Sequence, residues 1–237
     1  MPNLNPLVYV VDPDPSIRAS LEVLIRRTGW KAETFASASE FLARPRLVVP
    51  SCLLLEVNLP DSDVFELEER FAAERKETPV IVMAGQADIP MAVRAMKAGA
   101  VEFLLKPLDD DALLAAVRHA SAQSHDVLQR EAELLDLQQR KDSLSGRERE
   151  VMMGVVAGRL NKQVGAELGI SLITVKAHRG RMMRKMGADS LAELVTMALQ
   201  LHLPVAGTNR NHRPMAVSVP IPRMGRVQNR LSLARGA

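Results

Sequence analysis

The sequence predicts an α/β domain on a doubly wound, five-stranded parallel sheet, followed by an all-α, four-helix domain that contains a helix-turn-helix. Three observations carry this prediction. Short apolar runs alternate with amphipathic stretches through the first half, the second half is helical in period with glycines at the ends of the periodic runs, and 237 residues exceed one typical domain. The first half opens with LVYVVD at 7–12 as a strand and SIRASLEVLIRRTG at 16–29 as a helix. KAETFAS at 31–37 is a second strand, SEFLARP a brief helix, and SCLLLEV at 51–57 a third strand apolar enough to be buried on both faces. FELEERFAAERK at 65–76 reads as a helix, PVIVMAG at 79–85 as a strand, IPMAVRAMKAGA as a helix and VEFLLKP at 101–107 as the fifth strand. DDDALLAAVRHA then begins a helix with three acids at its positive end. Sheets of this class build their sites at the carboxyl ends of the strands. Those ends carry Asp12 and Asp14, Glu56, Ala84 and Lys106, which should converge in space.

Composition narrows the class. With 47% hydrophobic residues, 25% charged and one cysteine, the chain has an ordinary soluble profile rather than that of a secreted disulfide scaffold. Cys52 is expected to be a small buried hydrophobe. No basic region precedes an apolar run at the N-terminus, and no run approaches the roughly 18 residues of a membrane span, so a cytoplasmic protein without membrane contact is expected. His119 and His125 have no acids or cysteine at metal-ligand spacing, and no catalytic constellation is visible, so neither a metal site of that kind nor an enzyme is predicted. The net charge of +3 is uneven. Counted by segment it runs about −5 over 1–124, about −1 over 125–141, about +3 over 142–203 and about +6 over 204–237. A basic C-terminal half points to an anionic partner, most often nucleic acid, with a solvated basic tail as the alternative.

The strand-end residues and the run DIPMAVRAMKAGAVEFLLKP resemble the receiver domain of bacterial response regulators, and the FixJ subgroup in particular, over about residues 6–122. The resemblance implies a phosphoacceptor aspartate at the end of the third strand, two acids that hold magnesium, a lysine, and a Thr or Ser on the fourth strand. Transferred residue by residue, the pattern is incomplete. Asp12 matches the first acid, Pro13 stands at the second with Asp14 one place beyond, Glu56 replaces the acceptor, Ala84 the hydroxyl residue and Val64 a loop glycine. Lys106, the cis-peptide candidate Pro107 and the aromatic switch position Phe103 match. Pro13 offers magnesium no side-chain oxygen. The extra methylene of Glu56 moves its oxygen by about 1.5 Å, enough to cost on the order of a hundredfold where positioning supplies the catalysis. An ion pair between Glu56 and Lys106 is expected instead, with no cofactor. Three roles stay open for such a receiver: a static dimerisation platform, a constitutively active mimic, and a sensor of a ligand or partner.

Residues 109–141 stay helical without a breaker. Leu113, Val117, Ala120, Ser124, Val127 and Leu134 fall on a 3-4 spacing interrupted by Glu131, which fits either a short dimer seam or one helix continuing the first domain. Ser145 and Glu148 have capping-box spacing before a helix that Gly158 ends. NKQVGAEL closes at Gly169, and SLITVKAHRGRMMRKM runs from an N-cap at Ser171 to Gly187. DSLAELVTMALQL completes the set of four helices. Through REREV, AGRLNKQVGAELGIS, TVKAHRGRMMRKM and LAELVTMAL, residues 142–203 resemble the LuxR-type DNA-binding domain. That resemblance implies double-stranded DNA as partner, read in the major groove by the third helix, with the fourth pairing subunits into a homodimer. It places Lys176, Ala177 and Gly180 toward bases and makes Thr174, Arg179 and Lys162 phosphate candidates, with Arg181 aimed at phosphate or solvent. Val175, Met182, Met183 and Met186 are expected in the core. The segment 204–237, with six arginines and no acid, reads as a disordered basic tail that adds phosphate contacts. Together these readings predict a DNA-binding transcription regulator with a degenerate receiver. The alternatives are a regulator whose receiver captures a sensor kinase, another protein or a ligand, and an orthodox phosphotransfer protein with an unusual acceptor.

Overall fold

A computed structural model describes residues 6–60, 67, 75–86 and 88–205. The helix expected over 65–76, Val64 and nearly all of the basic tail therefore lie outside the described residues, apart from a buried Leu67. Five strands, β1 (Leu7–Val11), β2 (Lys31–Phe35), β3 (Ser51–Glu56), β4 (Val80–Ala84) and β5 (Glu102–Leu105), form one sheet in the order β2-β1-β3-β4-β5. Every pairing is parallel, with Val11 opposite both Phe35 and Leu55, and Glu56 opposite Met83. β1, β3 and β4 are buried along their whole length because helices cover both faces.

The two-residue period of the strands sorts their side chains between two cores. Tyr9, Val11, Leu53, Leu55 and Val82 face helix α2 (Ala38–Ala43) and helix Ile89–Ala98, where Phe41 and Ala95 meet them. Val8, Val10, Leu54, Ile81 and Met83 face the opposite way, against Leu21 and Ile25 of helix α1 (Pro15–Arg27) and Leu113 and Val117 of the helix after β5. Cys52 is fully buried on this second side, and burial pushes its thiol up to about 12, as expected of a packing cysteine.

The helix after β5 runs unbroken for 33 residues, Asp110–Asp142, about 50 Å at 1.5 Å per residue. Asp109 caps its start by accepting the Ala112 N–H at 2.8 Å. The dimer-seam reading fails for its first half: Leu113, Val117 and Ala120 are in the sheet's core, and Ser124 is buried against it. The Ser124 hydroxyl accepts the Ser51 N–H at 2.9 Å and donates to the Glu77 carbonyl. An apolar stripe at 3-4 spacing here is a sheet-packing face. Val127 is half-buried and Leu134 exposed, and Leu137 is buried again, now in the core of the C-terminal domain.

That domain consists of helices Gly146–Val156, Asn161–Leu168, Leu172–Met186 and Leu191–Gln200. Ser145 and Glu148 form the capping box reciprocally. The tight turn between the second and third of these helices needs Gly165, because a Cβ there would lie 2.9 Å from the Ile170 carbonyl oxygen. Among the described residues, no helix is long and apolar enough to cross a membrane.

Candidate functional site

The carboxyl ends of β1, β3 and β5 bring Asp12, Glu56 and Lys106 together. The Lys106 amide donates to the Ala84 carbonyl at 2.8 Å, fixing the residue at the strand end, and its peptide bond to Pro107 is cis. The ammonium then spans two carboxylates. It donates to Asp12 Oδ2 at 2.6 Å and stands 2.5 Å from Glu56 Oε2, a close ion pair without hydrogen-bond alignment. The remaining oxygens are also engaged: Asp12 Oδ1 accepts the Asp14 N–H at 2.8 Å, and Glu56 Oε1 accepts the Asn58 N–H at 3.1 Å. Burial is the largest influence on Lys106 and pulls its pKa down. The hydrogen bond to Asp12, the close contact with Glu56 and the charges of both carboxylates outweigh it, so the ammonium is held above its ordinary value.

Asp14 does not join this cluster. With Pro15 opening α1, Asp14 is its N-cap, and its carboxylate accepts the Ser16 N–H at 2.8 Å. Arg18, which sequence reasoning missed, donates to the Asp12 and Pro13 carbonyls at 2.7 and 2.9 Å. It sits one turn into α1 and looks from sequence like a solvated helix residue. Ala84 is fully buried and Phe103 is half-buried against the first core. This donor set does not fit magnesium. Both carboxylates converge on an ammonium, Arg18 occupies the neighbouring carbonyls, and Pro13 and Ala84 contribute no side-chain oxygen, whereas the ion needs a near-octahedral oxygen shell.

In the C-terminal domain the helix Leu172–Met186 presents Lys176, Ala177 and Gly180 on one exposed face. Ile173, which sequence reasoning also missed, precedes these by three, four and seven residues and is 81% exposed, an unusual placement for a large apolar side chain. A Cβ on Gly180 would meet nothing within 4 Å, so packing does not require glycine there. Lys162 is exposed. Thr174 closes the helix start, its hydroxyl 2.8 Å from the Ser171 hydroxyl and its N–H donating to that oxygen. Arg179 donates to Asn161 Oδ1 at 2.9 Å, tying the two helices of the helix-turn-helix together. Arg181 is 3.3 Å from His178 Nδ1 and 3.8 Å from Glu148 Oε1, so it faces its own domain. Val175, Met182 and Met186 are buried and Met183 is partly so. Glu148 is held down to about 2, first by its hydrogen bond from Lys185 and then by the Ser145 amide, against the upward push of burial.

Comparison with known proteins agrees with both halves. Residues 8–118 match the family described as "Response regulator receiver domain", and residues 142–198 match "Bacterial regulatory proteins, luxR family". Nodulation protein W of Bradyrhizobium diazoefficiens is 43% identical over 208 residues, covering 87% of this chain and 88% of that protein. Transcriptional regulatory protein FixJ of the same organism is 41% identical over 194 residues, covering 81% of this chain and 94% of that one. The low-resolution structure of response regulator StyR superposes with a TM-score of 0.74 at 40% identity, over 83% of this chain and 99% of that chain. A receiver sheet, a LuxR-type helical domain and relatives matched across both lead to one conclusion: the chain belongs to the DNA-binding response regulators of the FixJ/LuxR family.

Proposed function

We propose that this regulator binds DNA as a homodimer in the cytoplasm, without ordinary phosphorylation of its receiver. The observation that supports this most is the Lys106 ammonium bridging Asp12 at 2.6 Å and Glu56 at 2.5 Å. In the family pattern these positions handle a phosphoryl group and its metal. Here they form a closed trio of one cation and two anions, in which the ammonium holds both carboxylates, and no hydroxyl at residue 84 is available to follow a phosphoryl oxygen. The receiver then supports assembly on DNA by its fixed shape, and a sensor kinase or another regulator would meet it as a binding surface rather than as a phosphoryl acceptor. Lys176, Ala177 and Gly180 take the base-facing positions and Lys162 contacts phosphate.

The test uses the full-length protein and a duplex selected from a random pool. Sequence-selective binding without any phosphodonor is expected. Incubation with a small-molecule phosphodonor and magnesium should leave both the affinity and the intact mass unchanged. An acid-labile, magnesium-dependent adduct on Glu56 that tightens DNA binding would overturn the proposal.

A further inference from the structure

The last carbonyls of a helix have no partner within it, and the DNA-reading helix Leu172–Met186 has its own satisfied in an unusual way. The Gly187 and Ala188 amides return to Arg184 and Met183. The Met186 carbonyl instead accepts Nη1–H of Arg140 at 3.1 Å, from the last turn of the connecting helix. Arg140 is itself aimed by Asp136 one turn earlier, whose Oδ2 lies 2.8 Å from Nη2. Its planar fork thereby joins two helices, and its charge sits at the negative end of the reading helix. A Cβ on Gly187 would come within 2.5 Å of Arg140 Nη1, and Gly187 also takes a positive φ of 70°. Lys185 adds a second link, donating to the Ser143 carbonyl at 3.0 Å and to Glu148 at 2.7 Å. Leu137 supplies an apolar anchor in the same core.

We propose that Arg140 is a positioning residue for DNA recognition, and that the working DNA-binding unit includes the last two turns of the connecting helix. The matched LuxR-type family begins at residue 142, so both Arg140 and Leu137 fall outside it. Geometry gives the contact leverage. Ile173 lies 13 residues before Met186, about 20 Å along the helix, so a tilt of about 5° at the Met186 end moves the base-facing end by nearly 2 Å. A shift of that size exceeds the distance tolerance of a hydrogen bond to a base edge. The proposal rests on the assignment of Lys176 and its neighbours as the reading face.

The experiment compares full-length wild type, Arg140→Met, Arg140→Lys and Lys176→Ala by fluorescence anisotropy, on a selected duplex and a scrambled one. Circular dichroism fixes a temperature at which all four proteins are folded. Arg140→Met should weaken binding to the selected duplex about fivefold to tenfold, the scale of one typical hydrogen bond. The scrambled duplex should be unaffected, and Arg140→Lys, which keeps the charge but not the planar fork, should recover only part of the loss. Equal weakening on both duplexes would mean that Arg140 contributes only charge. A lowered unfolding temperature with unchanged affinities would mean that it contributes only stability. Either result overturns the proposal. Lys176→Ala separates the layers: if it spares selectivity, the reading face is misassigned and the proposal falls with it. If it abolishes selectivity while Arg140→Met does not, only the role of Arg140 falls.

Discussion

Replacing Lys106 by methionine removes a cation while keeping the length of its stem. Asp12, fully buried, and Glu56, 4% exposed, would then face each other without compensation. Breaking a buried pair by removing one partner costs about 3–5 kcal/mol. Because the Lys106 side chain keeps 18% of its exposure, the lower end applies, about 3 kcal/mol, out of a typical stability of about 5–15 kcal/mol. Urea unfolding followed by Trp30 fluorescence is the suitable assay, since the single tryptophan packs against the second core. With a urea slope of about 2 kcal/mol per molar, the midpoint should fall by about 1.5 M. Glu56→Gln alone should change stability by less than about 1 kcal/mol, because the Lys106–Asp12 pair survives it, and adding it to Lys106→Met should restore part of the loss. The alkaline limb carries a second signature. The folded Lys106 is raised above its unfolded value of about 10.4, so its contribution is complete below that pH and disappears as pH rises through the folded value. Lys106→Met should lack this alkaline loss. A cost below about 1 kcal/mol at pH 7 would refute the reasoning, since it would mean that water solvates these carboxylates and that they remain free to hold a metal.

Two further outcomes follow from the helical domain. Glu148, depressed to about 2 from 4.5, contributes stability in full above pH 4.5 and loses it as pH falls toward 2. Glu148→Gln should therefore flatten the acid limb of unfolding in that window while leaving the alkaline limb alone, and an unchanged acid limb would place the sensitive carboxylate elsewhere. Ile173, 81% exposed on the reading face, is placed to meet a thymine methyl. Substituting deoxyuridine for thymidine at individual positions of the selected duplex should weaken wild-type binding at one of them by about fourfold, the worth of one buried methyl at about 0.8 kcal/mol. Ile173→Ser should erase that particular difference, and a difference that persists in the variant would remove Ile173 from base readout.

What the sequence disclosed depended on how local the determining signal was. The strands were legible because β1, β3 and β4 are short apolar runs, and the sheet end that carries Asp12, Glu56 and Lys106 follows from parallel topology. The caps at Ser145, Ser171 and Gly187 were legible for the same reason, since each signal lies within four residues. Asp14 was expected to converge with the other strand-end residues, but an aspartate directly before Pro15 is also an N-cap pattern, and the start of α1 uses it in that way. Arg18 and Arg140 were not legible at all. Each is a long cation on an exposed helix, and its value comes from carbonyls reached in three dimensions, Asp12 and Pro13 for one and Met186 for the other. Ile173 gave a signal that could have been used: an isoleucine three residues before Lys176 breaks the polar pattern of a reading face.

The 3-4 stripe of the connecting helix shows how one periodicity can serve two cores. Leu113, Val117 and Ala120 belong to the sheet, Leu137 to the DNA-binding domain, and Glu131 interrupts the stripe where the helix leaves the one and has not reached the other. Asp110–Asp142 contains neither glycine nor proline, the residues at which helices most often bend. Its N-cap Asp109 follows Lys106 by three residues, and its last turn holds the reading helix through Arg140. The ion trio and the helix Leu172–Met186 are therefore connected by a single unbroken element. A signal passing between them would need a second arrangement of that element or of the trio. The trio has its carboxylate oxygens engaged and no hydroxyl at residue 84 to move. The helix is anchored in a packed core at each end, and packed cores are bistable only where an alternative packing exists. Under the proposed function, constant geometry is the expected output, with regulation exerted through a bound partner.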